Sequence, residues 1–113
     1  MKTAVIGSRN LKIEDISKYI PEGTDEIVTG GVRGIDSCAA DYAKRAGLKL
    51  TVFPPKYRMY GRGAPIVRNR EIVECADCVV AIWDGSSRGT KSVIDECVKT
   101  GVEVRVILIN NDK

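Results

Sequence analysis

Residues 26–53, "EIVTGGVRGIDSCAADYAKRAGLKLTVF", change their hydrophobic rhythm twice. The apolar run "EIVTGG" (26–31) ends in glycines and reads as a strand. Ile35, Cys38, Ala39, Tyr42, Ala43 and Ala46 then recur at helical spacing until Gly47 stops them. "LKLTVF" (48–53) alternates and reads as a strand again. A strand that returns through a helix lies parallel to the first, because a tight hairpin can join only antiparallel neighbours.

The rest of the chain repeats this unit. "TAVIG" (3–7) is a first strand, and Leu11, Ile13, Ile16 and Ile20 predict a short helix ended by Pro21 and "PEGT". "CVVAIW" (78–83) is a buried fourth strand. Val93, Ile94, Cys97 and Val98 mark a last helix closed by Gly101, and "VEVRVILI" (102–109) is a fifth strand. Strict alternation with β-branched strands predicts an α/β three-layer sandwich: a five-stranded parallel sheet with helices on both faces. Right-handed crossovers leave few windings. The Rossmann-like order 3-2-1-4-5 is expected, with the flavodoxin-like order as the alternative. The 113 residues make one domain, with no linker, repeat or low-complexity segment.

One helix breaks its own pattern. In "APIVRNREIVECA" (64–76), Pro65 suits a first turn, and Ile66, Ile72, Val73 and Ala76 fill one arc. Asn69 falls within that arc, with Arg68 and Arg70 on either side. A buried amide without partners costs about 1–3 kcal/mol, so Asn69 must tie neighbouring loops together or read a ligand.

Charge is uneven along the chain. Residues 54–70 carry Lys56, Arg58, Arg62, Arg68 and Arg70 and no acid. Removing these five from a net charge of +3 leaves 13 cations against 15 acids. A cationic patch on an otherwise slightly acidic chain points to an anionic partner. Histidine is absent, which excludes His-based acid–base chemistry, the Ser-His-Asp triad and His-ligated metal. Cys75 and Cys78 form a C-x-x-C that straddles a helix end and a strand start, the reverse of the redox arrangement. Cys38 and Cys97 lie on apolar helix faces, so all four read as packing residues and neither metal nor cofactor is implied. No apolar run approaches the roughly 20 residues of a membrane span. "MKTAVIGS" turns polar too early for a signal peptide, so no membrane contact and a cytoplasmic location are expected.

In a doubly wound sheet, ligands bind outside the carboxyl ends of the strands. The four segments there are "GSRN" (7–10), "TGGVRGID" (29–36), the basic loop leading to Asn69, and "DGSSRGT" (84–90). Glycines let a backbone approach an anion closely, and the N–H groups of a helix start point at it. Neither G-x-G-x-x-G nor a Walker sequence is present, and a tight strand-to-helix turn explains each glycine cluster equally well. Thr90 extends the apolar stripe of the last helix to the sheet edge, where its hydroxyl caps the helix or bonds a ligand.

"GSR", "TGGVRGID", "YGRGAP-IVRNR" and "DGSSRGT", in this order and spacing, resemble the SLOG superfamily over about residues 3–107, most closely its small stand-alone YspA-like (YAcAr) branch. The resemblance implies a Rossmann-like fold that binds a nucleotide or nucleotide-derived ligand. It also names two contrasting relatives. LOG phosphoribohydrolases cleave the N-glycosidic bond of nucleoside monophosphates with the Glu of "PGG-x-GT-x-x-E". Here Gly89-Thr90 match the Gly-Thr, but Val93 stands at the Glu position; Glu96 lies off the stripe, and Asp84 is the candidate substitute. DNA-processing protein A shares "GSR", "G-x-RGID" and "RNR" and binds single-stranded DNA. That reading can draw on Tyr57 and Tyr60 within the basic loop, since single strands need aromatic platforms beside a positive groove.

The expectation is therefore a sensor or binding domain for a phosphate-bearing nucleotide or nucleotide–sugar derivative. Gly30, Gly31 and Gly34, and Gly89 with Thr90, would form two phosphate cradles, the first beside Gly7. Arg9, Arg33, Arg68 and Arg70 would supply charge-assisted bonds. Ser8, Asn69 and Asp84 would take sugar hydroxyls or a base edge, while Asp36 holds its loop or joins them. LOG-like hydrolysis and nucleic-acid binding are the alternatives. A homodimer is also expected, because relatives dimerise and the sheet leaves edges to cover.

Overall fold

The computed structural model describes residues 1–109. β1 (Lys2–Gly7), β2 (Glu26–Thr29), β3 (Lys49–Val52), β4 (Cys78–Trp83) and β5 (Glu103–Leu108) form one sheet in the order β3-β2-β1-β4-β5. Every neighbouring pair is parallel. The helices are α1 (Ile35–Ala46), the single turn α2 (Tyr57–Tyr60), α3 (Ala64–Cys75) and α4 (Arg88–Thr100). The expected Rossmann-like winding is thus the one adopted.

Alternation along the strands builds two cores. Val5, Ile27, Val80 and Ile82 pack on one face against Ile35, Ala39 and Ala43 of α1, joined by Leu11 and Ile16. Ala4, Ile6, Val28, Val79 and Ala81 pack on the other against Ile72 and Val73 of α3 and Val93 and Cys97 of α4. Connections leaving β1 cover the first face, and those leaving β3 and β4 cover the second. The crossovers therefore part company between β1 and β4, and a crevice opens at the carboxyl ends of these strands.

Three local expectations are corrected. The stretch from Leu11 to Ile20 is not an α-helix; only Ser17–Tyr19 makes a 3-10 turn. Asp15 accepts from the Ser17 N–H at 3.0 Å and from the Ser17 hydroxyl, so the side chain takes a bond that a helix would spend on backbone. Leu11 and Ile16 are still buried. On α3 the buried arc comprises Ala64, Arg68, Asn69, Ile72 and Val73, while Ile66 is 52% exposed. At about 100° per residue this rotates the buried arc by about 50°, toward the side on which Arg68 meets the Gly30 and Phe53 carbonyls. Val98 of α4 is 73% exposed, and Ala46 of α1 is also exposed.

Cys38 packs on the α1 face, Cys75 and Cys97 on the opposite one. Among the described residues, no group of three or more His, Cys, Asp or Glu could hold a metal ion, and no helix is long and apolar enough to cross a membrane.

Candidate functional site

A cavity of about 290 Å³ occupies the β1/β4 crevice. Its wall takes Ile6, Gly7, Arg9 and Asn10 from the end of β1, and Val32 and Asp36 from the start of α1. Pro65, Arg68, Asn69 and Ile72 come from α3, and Ser87, Gly89, Thr90 and Val93 from α4. The apolar floor is continuous with the α3/α4 core, and the rim is polar and cationic.

Of the helices that start at this edge, α1 and α4 differ in how their first turns are filled. At α1, the loop wraps an anion of its own. The Asp36 carboxylate accepts from the N–H of Gly7 at 3.3 Å, of Gly30 at 3.1 Å, and of Val32. The N–H of Ile35 donates to the Ser8 carbonyl at 3.4 Å. Burial pushes the Asp36 carboxyl up to about 6, although the Val32 N–H, the Arg68 guanidinium and the Gly30 and Gly7 N–H groups all favour its charged form. Gly34, at φ +84°, lies against the Ser8 and Arg9 carbonyls, where a Cβ would come within 2.6 Å of both. Its glycine is accounted for by loop-on-loop packing.

At α4, the Asp84 carboxylate bonds N–H groups only ahead of the helix, those of Ser86 and the N-cap residue Ser87. Ser87 is the N-cap residue but makes no side-chain cap bond; its hydroxyl meets that of Thr90 at 3.3 Å instead. The first-turn N–H groups of Arg88, Gly89 and Thr90 have no acceptor among the described residues. A Cβ on Gly89 would meet nothing within 4 Å, so this turn faces open space.

α3 contributes a buried guanidinium. Arg68 donates from Nη1 to the Gly30 carbonyl at 2.9 Å and to the Phe53 carbonyl at 3.5 Å. Its Nε donates to Asn69 Oδ1 at 2.9 Å, and Asn69 Nδ2 donates to Ser92 Oγ at 3.4 Å. The amide inside the helix arc therefore orients its neighbouring arginine and braces it against α4. Burial weakens the hold of Arg68 on its proton, and the Asp36 carboxylate opposes that effect.

The remaining expected residues scatter. Gly7 and Gly30 sit where β1 and β2 meet this network, and Arg9 is exposed on the cavity rim. Gly31 is exposed beside Val52, at φ +77°, and Arg33 is exposed; neither lines the cavity. Arg70 points away, 3.9 Å from Glu96. Ser8 is buried as a tie between strands, its N–H on the Ile82 carbonyl at 3.1 Å and its hydroxyl accepting from the Asp84 N–H at 3.1 Å. Asp84 Oδ1 accepts from Ser86 and Ser87 N–H at 2.9 and 2.8 Å, which with lesser contacts holds its carboxyl below the ordinary range. Asp84 thus stays ionised at neutral pH and shapes the turn into α4. Asn10 and Ser87 line the cavity without having been singled out; each stands inside a motif already read as a ligand loop. In comparison with known proteins, no family model, no curated protein and no solved structure matches this chain.

Proposed function

We propose that this protein binds a phosphate-bearing nucleotide or nucleotide–sugar derivative in the β1/β4 crevice and acts as a sensor or binding domain. One observation carries the reading: the first turn of α4 offers N–H groups without an acceptor among the described residues, and two hydroxyls, to a cavity that also holds Arg9 and Arg68. Such a helix start attracts an anion through its partial positive charge and its unpaired donors. The motif resemblance to the SLOG superfamily supports the same ligand class. It also places Val93 where a LOG enzyme keeps its carboxylate, and Val93 is buried in the α4 core, which favours binding over hydrolysis.

A panel of AMP, ADP-ribose, NAD, a cyclic dinucleotide and a single-stranded oligonucleotide, compared by thermal shift at matched salt, tests this. A shift with a mononucleotide or dinucleotide and none with the oligonucleotide is expected. Gly89→Asp should keep the fold, since its side chain enters open space, and should cut affinity for that nucleotide at least about tenfold by capping the turn with its own carboxylate. No shift with any small ligand overturns the reading. A shift with the oligonucleotide alone would move the function to the basic segment, where Tyr57 and Tyr60 are exposed.

A further inference from the structure

Asp36 and Arg68 are oppositely charged, 3% and 7% exposed, and line the same cavity. The protein leaves part of the hydrogen-bonding capacity of each unfilled. A carboxylate has about four acceptor positions, and backbone N–H groups take three of those on Asp36. A guanidinium has about five donors; Asn69, Gly30 and Phe53 engage Nε and Nη1 of Arg68, and Nη2 has no acceptor among the described residues.

The two groups converge on Gly30. A Cβ built there would lie 2.6 Å from Arg68 Nη1 and 3.0 Å from Asp36 Oδ2, and the Gly30 backbone donates to one side chain and accepts from the other. Gly30 does not have a positive φ. Its missing side chain makes room for this pair. The pair is held from several sides: by Gly7 at the end of β1, by Gly30 just after β2, by α1 through Asp36 itself, and by α3 through Arg68 and Asn69.

The chemistry of this wall selects its guest. A second anion would meet the Asp36 charge, and a cation would meet Arg68. A neutral group that donates and accepts at adjacent positions satisfies both, and a vicinal diol does so: one hydroxyl donates to the carboxylate while the other accepts from the guanidinium. We infer that Asp36 and Arg68 form a sugar-diol subsite, so that the crevice takes ribose phosphates with free 2′- and 3′-hydroxyls and discriminates against their deoxy forms. This rests on the phosphate reading above and deepens it.

The test uses the wild-type protein and compares ligands. The four ribonucleoside 5′-monophosphates and their 2′,3′-dideoxy counterparts are titrated calorimetrically at one pH and salt. Each ribonucleotide that binds should do so at least about tenfold more tightly than its dideoxy partner, since a site built for a hydroxyl leaves buried polar groups unpaired when the hydroxyl is missing. In Asp36→Asn the ratio should fall below about threefold. Where that variant fails to fold, the wild-type ratio still decides. Equal affinity for both forms overturns the diol subsite and leaves the phosphate reading standing. Binding of none of the eight overturns the diol subsite, and the phosphate reading falls with it only where ADP-ribose and the dinucleotides of the thermal-shift panel also fail to bind.

Discussion

Burying the Asp36 carboxyl raises it from the ordinary 3.8 to about 6, so the folded state holds this proton more tightly than the unfolded chain does. Its contribution to stability is fully present below the ordinary carboxylate pKa and is lost as pH rises through 6. The difference amounts to roughly 3 kcal/mol. Asp15, Asp25 and Asp84 are lowered instead, so their contribution is present above 3.8 and disappears on acidification below it. Urea unfolding across pH 4–7 should show wild-type stability falling as Asp36 ionises, and a nearly flat profile for Asp36→Asn over the same window. A wild-type profile that is already flat would mean that the carboxyl is not buried as described. A second buried group gives a simpler case. Thr29 Oγ1 is buried without a hydrogen-bond partner among the described residues, so Thr29→Val should raise stability by about 1 kcal/mol in equilibrium unfolding. A loss of that size would reveal a hidden partner.

At the scale of elements, hydropathy and packing disagree in places that can be measured. Val98 reads as part of the α4 stripe yet is 73% exposed, whereas Val93 is 2% exposed in the α3/α4 core. Val98→Glu should change stability by less than about 0.5 kcal/mol, while Val93→Ala should cost about 1–3 kcal/mol through the cavity it leaves. Comparable losses from both would mean that α4 is rotated from the orientation described. The reverse situation holds on α3, where a charged residue is buried and Ile66 is not. Spacing alone admits either arc, because Ile66 and Val73 project close together. What settles the rotation is the set of carbonyls that receives Arg68: Gly30 from β2, Phe53 from the end of β3, and Asn69 alongside. Gly30 and Phe53 are far from Arg68 in sequence. The segment after β1 fails for a more local reason, since Asp15 binds Ser17 and disrupts a pattern that apolar spacing had suggested.

At the scale of the whole molecule, the parallel winding brings four loops to one edge, and the structure then divides them by role. The first two, with Asp36 between them, are bonded mainly to each other: Ser8 to Ile35 and to Asp84, Gly34 against Arg9, Asp36 to Gly7 and Gly30. In the fourth, no side chain caps the helix start among the described residues. A nucleotide bound as proposed would bridge α4 to the α1 and α3 walls. At about 100 times its dissociation constant it should add about 2.7 kcal/mol of stability, and that gain should shrink in Gly89→Asp.

Strand identity, the parallel sheet, its winding and the edge that carries the loops were all legible in the residues, because apolar period and glycine punctuation are local and the handedness of crossovers is general. The motif glycines and arginines were legible as a group but not by role. Gly30 and Gly34 look alike in "GGVRG", yet one admits a guanidinium and the other lets two loops touch. Arg68 and Arg70 flank the same asparagine, yet one is buried against Gly30 and the other faces Glu96. Which donor is already satisfied and which is left for a ligand depends on partners supplied by distant segments. Only the tertiary structure brings those partners together, so only it decides that the Asp36 carboxylate fills the loop before α1 while no side chain caps the first turn of α4 among the described residues.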